Sequence, residues 1–207
     1  MDFDFLVPML EELPNTQLPD PSEYNYYRDA KDRIYWLDAE VDRSTLDLAR
    51  KIMQWNRSDE SANIPVEQRQ PIYLYIYSPG GDLDVCYTLV DVIRGSKTPI
   101  VGINVGQAYS SACYIFLSCH KRYCLPHAQF VVHKGSAGMS GNYAELAASF
   151  DAYKKQIEEM TAYLMETTTL TKEEIEQHMI TDWWVGAEEA VANGMADGIV
   201  TALNEIQ

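Results

Sequence analysis

IYLYIYSPGGDLDVCYTLVDVIRGSKTPIVGINV, residues 72–105, is the stretch on which the fold turns. Its opening, IYLYIY, is rich in β-branched and aromatic residues and reads as a strand. SPGG (78–81) closes that strand sharply. LDVCYTLVDVIR then carries helical spacing and stops at Gly95, and PIVGINV is a second strand. Strand, helix and strand in so short a span make a crossover unit, which joins parallel neighbours in one sheet.

The same alternation continues on both sides. RIYWL (33–37) reads as a short buried strand. Ser44 to Trp55 is expected to be a helix with Leu48, Ile52 and Trp55 on one face and Ser44 with Asp47 as a capping box. NRSDESANIPVEQRQ (56–70) reads as a loop. Beyond residue 120, KRYCL and AQFVV are short strands, and the glycine-rich KGSAGMSG (134–141) leads into a long acidic helix from about Asn142 to Thr168. Thr171 and Glu174 cap a helix through Met179, GAEEAVANG is a last helix stopped by Gly194, and ADGIVTAL is a final strand. Residues 1 to about 30, with Pro8, Pro14, Pro19, Pro21 and the cluster YNYY, are expected to form a loop or hairpin-like arm outside the core. The pattern predicts an α/β fold with a largely parallel sheet in a single domain, 1–207, since no repeat or long linker divides it.

A net charge of −15 argues against a nucleic-acid partner, because phosphates would be repelled. No apolar run is long enough to cross a bilayer, and the acidic start, MDFDFLVPMLEEL, does not read as a secretory leader. A cytoplasmic setting is therefore expected. Cys86, Cys113, Cys119 and Cys124 contain no CxxC pair and read as free, buried thiols. Cys119, His120, Cys124 and His127 have a metal-like spacing. Adjacent strand residues point to opposite faces, however, so Cys119 and His120 converge poorly, and neither metal nor cofactor is expected. His120 and His127 read as surface residues, and His178 as solvated or paired.

In VGQAYSSACYIFLSC (105–119), two serines interrupt an otherwise buried run. Ser110 follows a strand and precedes an apolar helix, so an N-cap is the simplest reading. A nucleophile is the other, and it needs a base, a group to hold that base, and donors for an oxyanion. The candidates are His133 at the end of AQFVVH, Asp182 in TDWW, and the N–H groups of Ser111 and of the SPGG glycines. Each has a bland counterpart; the combination is what points to hydrolysis.

IYLYIYSPGG, VGQAYSSA, KRYCLPHAQFVVH and IEQHMITDWWVGAEEAVANGMADGIV, with LVPML near the start, resemble in order the motifs of the ClpP family, the proteolytic subunits of the Clp protease. The resemblance runs from about Arg33 to Val200. It implies a crotonase/ClpP-like ββα superhelix with a head and a projecting handle (134–168), and an axial segment over 1–30. It makes Ser110 the nucleophile, His133 the general base and Asp182 the triad acid, with Gly81 and Ser111 as oxyanion-hole positions and Ala137 and Gly138 as substrate-binding ones. It further implies polypeptide substrates, heptameric rings stacked as a tetradecamer, and a separate AAA+ unfoldase, because this chain lacks a GxxxxGK[ST] phosphate loop. Three other readings share the fold or motifs: a catalytically silent ring component beside an active paralogue, a crotonase-type acyl-CoA enzyme, and a phage-type capsid-maturation protease.

The chain departs from the family pattern in places. Tyr77 stands for Asn, Tyr109 for a small residue, and Ser111 for a frequent Met. Lys134-Gly135 replaces Gln-Pro after the histidine and should loosen the start of the handle. Trp183 replaces an Arg that often joins the ring-to-ring contact. Gly95 falls near an aromatic position of the unfoldase-docking groove, while Tyr75 and Tyr123 keep that character.

Overall fold

The computed structural model describes residues 20–135, 138–202 and 206. Among them, β1 (Ile34–Leu37), β2 (Ile72–Ser78), β3 (Ile100–Tyr109), β4 (Lys121–Cys124) and β7 (Gly198–Ile199) run in that spatial order, all parallel. β5 (Gln129–Val132) pairs parallel with β3, and β6 (Trp183–Gly186) pairs antiparallel with β5. The helices are α1 (Pro21–Lys31), α2 (Leu46–Ser61), α3 (Leu83–Arg94), α4 (Ser111–Leu117), α5 (Tyr143–Thr167), α6 (Lys172–His178) and α7 (Ala187–Ala192). This is the α/β, parallel-dominated architecture that the alternating pattern predicts.

The core follows from side-chain period. In β2, Ile72, Leu74 and Ile76 are fully buried, while Tyr73 and Tyr75 on the other face are half-buried. α3 buries Val85, Cys86, Leu89, Val90 and Ile93, a single helical stripe, and α4 is buried along its whole length. Asp82 starts α3 by accepting a hydrogen bond from the Val85 N–H at 2.9 Å.

β3 forks, and the fork builds the site. Its first half, Val101–Asn104, pairs with β4; its second, Gln107–Tyr109, pairs with β5. Asn104 sits fully buried at the parting. Its side-chain amide donates to Gln129 O at 2.9 Å, and its Oδ1 accepts from Gly106 N–H at 3.0 Å. The side chain thus supplies partners where the strand ladder changes neighbours, which a buried backbone requires.

Several expectations need correction. Pro21–Lys31, expected as loop or hairpin-like arm, is helical. Proline suits the first helical position, and Glu23 at the start with Arg28 and Lys31 at the end complements the helix dipole. Residues 1–19 of the expected arm and axial segment lie outside the described residues. α2 begins and ends later than expected; in place of a Ser44–Asp47 box, Asp42 and Thr45 form a capping box on the 3-10 turn Arg43–Thr45 that leads into it, and α2's own N-cap, Thr45, makes no side-chain capping bond. Its last turns, inside the expected loop, are held because Asp59 is buried against Arg33 and Thr98. β3 continues through Tyr109, and β7 is only two residues long. β6 was not anticipated at all.

Candidate active site

The carboxyl ends of β2, β3 and β5 meet at one point, the usual place for a site in an open α/β sheet. Pairing of Tyr109 with Val131 sets Ser110 beside the end of β5, and the Ser110 N–H donates to Val131 O at 2.8 Å. Pairing of Val132 with Trp183 sets His133 and Asp182 opposite each other, one residue beyond the antiparallel ladder. The unanticipated strand β6 is therefore what carries Asp182 to the site.

Ser110 occupies the N-cap position of α4, yet its side chain makes no capping bond. Its Oγ instead lies 2.7 Å from His133 Nε2. Its backbone sits at φ 52°, ψ −126°, a region non-glycine residues avoid. Such strain costs on the order of 1–3 kcal/mol and persists only where neighbours enforce it. A strained strand-to-helix turn that exposes a serine hydroxyl is the geometry of a nucleophile elbow.

SPGG enforces this turn. Ser78 Oγ–H donates to Ala39 O at 2.6 Å and accepts from Gly80 N–H at 3.2 Å. Gly80 has φ +88°, and a Cβ there would fall 2.4 Å from Tyr109 O and 2.8 Å from Ser110 Cβ. Only glycine lets the SPGG backbone lie this close. At Gly81, with φ +154°, a Cβ would meet Val41 O at 2.3 Å. Val41 N–H donates to Gly80 O at 2.9 Å and Asp82 N–H donates to Val41 O at 2.7 Å, a ladder that does not use the Gly81 N–H. Ser111, first residue of α4, has an amide that no carbonyl of its own helix can reach. Gly81, Ser110, Ser111 and His133 all line one cleft of about 480 Å³.

For His133 Nε2 to accept the Ser110 proton, its Nδ1 must carry the ring hydrogen. Asp182 Oδ1 lies 3.6 Å from that Nδ1, too far for a hydrogen bond. The carboxylate side chain is 61% exposed, so a displacement of roughly 0.6 Å to ordinary bonding distance meets little resistance. Cys86 and Cys113 pack behind the turn, with Cys86 Sγ 3.3 Å from Ser111 O. Burial pushes both thiols up, Cys113 to about 12, so neither competes as nucleophile.

Of the substrate-binding candidates, Gly138 is exposed with nothing within 4 Å of an added Cβ, and Ala137 lies outside the described residues. The Lys134-Gly135 junction, expected to be loose, is clasped: the Tyr153 hydroxyl on α5 is shared between Lys134 O at 2.9 Å and Gly135 O at 3.1 Å. Trp183, which replaces an arginine frequent in the family, is buried. It stacks on His178 with centroids 4.1 Å apart, and its indole N–H donates to Glu189 Oε1 at 3.2 Å. Sequence reasoning missed Tyr153, whose partners lie 19 and 18 residues away, and the stack, which forms only when the turn after α6 folds Trp183 back onto His178. Cys119 is buried whereas His120 is exposed, so the two do not face a common point.

The family profile described as Clp protease matches residues 25–202. The ATP-dependent Clp protease proteolytic subunit 1 of Corynebacterium jeikeium is 27% identical over 194 residues, spanning 92% of this chain and 99% of its own. Subunit 2 of Pseudomonas aeruginosa is 31% identical over 142 residues, 66% of this chain and 69% of its own. Subunit 2 of Corynebacterium efficiens is 29% identical over 174 residues, 83% of each. These matches do not favour the silent-ring, acyl-CoA or capsid-maturation readings.

Proposed function

The chain belongs to the Clp protease family and is a ClpP-type peptidase; from that premise we propose that Ser110, His133 and Asp182 are its catalytic triad. The contact of 2.7 Å between Ser110 Oγ and His133 Nε2 carries this reading. Ser110 Oγ attacks the scissile carbonyl carbon while His133 Nε2 takes its proton. The electron pair displaced from the carbonyl settles on oxygen, where the Gly81 and Ser111 N–H groups donate to it. On collapse the C–N bond breaks, His133 returns the proton to the leaving amine, and Ser110 holds the acyl group. Water, deprotonated by His133, then releases the acid. Asp182 holds the imidazole in the tautomer that this sequence requires.

In this reading the substrates are unfolded polypeptides, with Gly138 beside the bound main chain. Residues 134–168 form a handle on one domain, and the subunits assemble as heptameric rings stacked into a tetradecamer. An AAA+ unfoldase feeds the chamber, in the cytoplasm. The names of the relatives, ATP-dependent Clp protease proteolytic subunits, support the partnership. No described helix is long and apolar enough to cross a membrane.

A fluorophosphonate probe tests the triad. Labelling of the wild type and none of Ser110→Ala is expected, with peptidase activity reduced on the order of 10⁴–10⁶-fold in the variant. Equal labelling of both proteins would remove Ser110 from the role.

A further inference from the structure

Asp182 is slenderly supported for a group that must stand at a set distance from an imidazole. It precedes β6, a strand of four residues that, among the described residues, pairs with β5 and with no other strand. A short strand with one neighbour opens more readily than one held on both sides. Any such movement would widen the 3.6 Å that already separates the carboxylate from His133 Nδ1. Something beyond the β5 ladder is needed to hold β6 in place.

Two tryptophans anchor the strand, one on each face. Trp183 turns inward against His178 and Glu189. Trp184 turns the other way, as successive strand residues do, and meets the Tyr109 ring edge-on with centroids 5.3 Å apart. These two rings belong to strands that are not neighbours. Tyr109 pairs with Val131 and Val131 with Trp184, so the three form one row across β3, β5 and β6. Strands two places apart are separated by roughly 9–10 Å, so the rings lean together across Val131, which is buried. One end of this bridge is fixed, because the SPGG turn packs on the Tyr109 carbonyl where a Cβ on Gly80 would fall 2.4 Å away. Tyr109 directly precedes Ser110, and Trp184 lies two residues beyond Asp182. The contact thus ties the serine turn to the acid's strand without passing through the strand of His133. Trp184 is 56% exposed and adds little to the core, and neither ring lines the cleft.

Resting on the assignment of the triad, we infer that Tyr109 and Trp184 are positioning residues, whose ring contact holds β6 at the distance from which Asp182 reaches His133. The carboxylate's last fraction of an ångström is then a side-chain movement alone, and the clasp keeps the strand beneath it from adding to the gap. Such a device acts on turnover rather than on substrate binding, because its rings stand outside the cleft. It also acts only through the Asp182 carboxylate, which separates it from a contact that merely holds the fold.

The test measures kcat and KM on a quenched peptide with the full-length protein, per molecule shown to be folded by circular dichroism. Trp184→Ala should lower kcat about fivefold, the scale of one edge-to-face aromatic pair, and leave KM within about twofold. Trp184→Phe keeps a ring and should recover most of that loss. Tyr109→Ala should cost about as much as Trp184→Ala, and the double variant no more than either alone, since both remove one contact. In an Asp182→Asn background, Trp184→Ala should change kcat by less than about twofold, because no carboxylate is left to position. A wild type labelled by the fluorophosphonate probe, with kcat unchanged in Trp184→Ala and Tyr109→Ala, overturns the inference and leaves the triad standing. So does a fivefold loss that persists in the Asp182→Asn background. A wild type the probe does not label overturns both.

Discussion

Of the carboxylates that sit beside basic side chains, Asp59 and Asp182 are built in opposite ways. Asp59, on α2, is 1% exposed. Arg33 Nη1 donates to its Oδ2 at 2.8 Å, Arg33 Nη2 contacts Oδ1, and Thr98 Oγ1–H donates to Oδ2 at 2.8 Å. Arg69 joins at the edge, reaching Thr98 Oγ1 at 3.4 Å and Ile64 O at 3.2 Å. Asp182 is 61% exposed and faces a single imidazole nitrogen at 3.6 Å. The first array is closed and saturated, and it ties α2 to the start of β1 and the approach to β3. The second is open, and its parts retain freedom to move by a fraction of an ångström. Saturation suits a group that holds the fold, whereas an open array suits the role we propose for Asp182, beside an imidazole that would gain and lose a proton in each turnover.

The largest separation between the two should come from Asp59→Ala. Removing one member of a buried pair leaves Arg33 with an uncompensated charge, and a loss of about 3 kcal/mol of stability is expected. Urea unfolding should show a lower midpoint with an unchanged slope. Peptidase rate per folded molecule should be preserved, because the Asp59 cluster is not part of the cleft lining. A rate loss matching that of a site variant would mean that the Asp59 cluster positions the triad and that the contrast is false.

Asp182→Asn should show the reverse. The amide cannot stabilise an imidazolium as a carboxylate does, so kcat/KM should fall about 10²-fold. That is less than the roughly 10⁴-fold cost known for a fully buried, hydrogen-bonded triad carboxylate. Stability should change by no more than about 0.5 kcal/mol, as for other surface substitutions. A loss of the full 10⁴ would show that Asp182 closes on His133 during turnover, sharpening the distinction between an open resting array and a closed working one.

The two arrays also differed in how readily they were read from sequence. Ser110, His133 and Asp182 stand in motifs with distinct residue types, and the alternating strands and helices gave the architecture that brings their segments together. Asp59 was invisible in a polar run, because its partner Arg33 lies on a different element and only folding joins them. β6 was missed for a related reason: TDWWVG is short and lies between helices, and its strand character comes from pairing with β5 rather than from its own periodicity. α1 was misread because prolines and tyrosines suggested an arm, although Pro21 stands where a helix accepts proline. The contact of Tyr109 with Trp184 left no signal in the chain, since only the row across β3, β5 and β6 brings the two rings together.

Acid should act on both regions, through different groups. As the proposed base, His133 must be neutral to accept the Ser110 proton, so the peptidase rate should fall in acid. At Asp59, the Arg33 guanidinium, opposed by burial and assisted by Thr98, holds the carboxyl below its ordinary range. A carboxyl with a depressed folded-state pKa contributes stability above its unfolded value, about 3.9, and loses that contribution as pH falls through the folded value. Asp59→Asn cannot undergo that change. The stability gap between wild type and Asp59→Asn should therefore be widest near neutrality and shrink below about pH 4. A gap that stays constant into acid would mean that the Asp59 charge adds nothing to stability, and that its hydrogen bonds alone hold α2 in place.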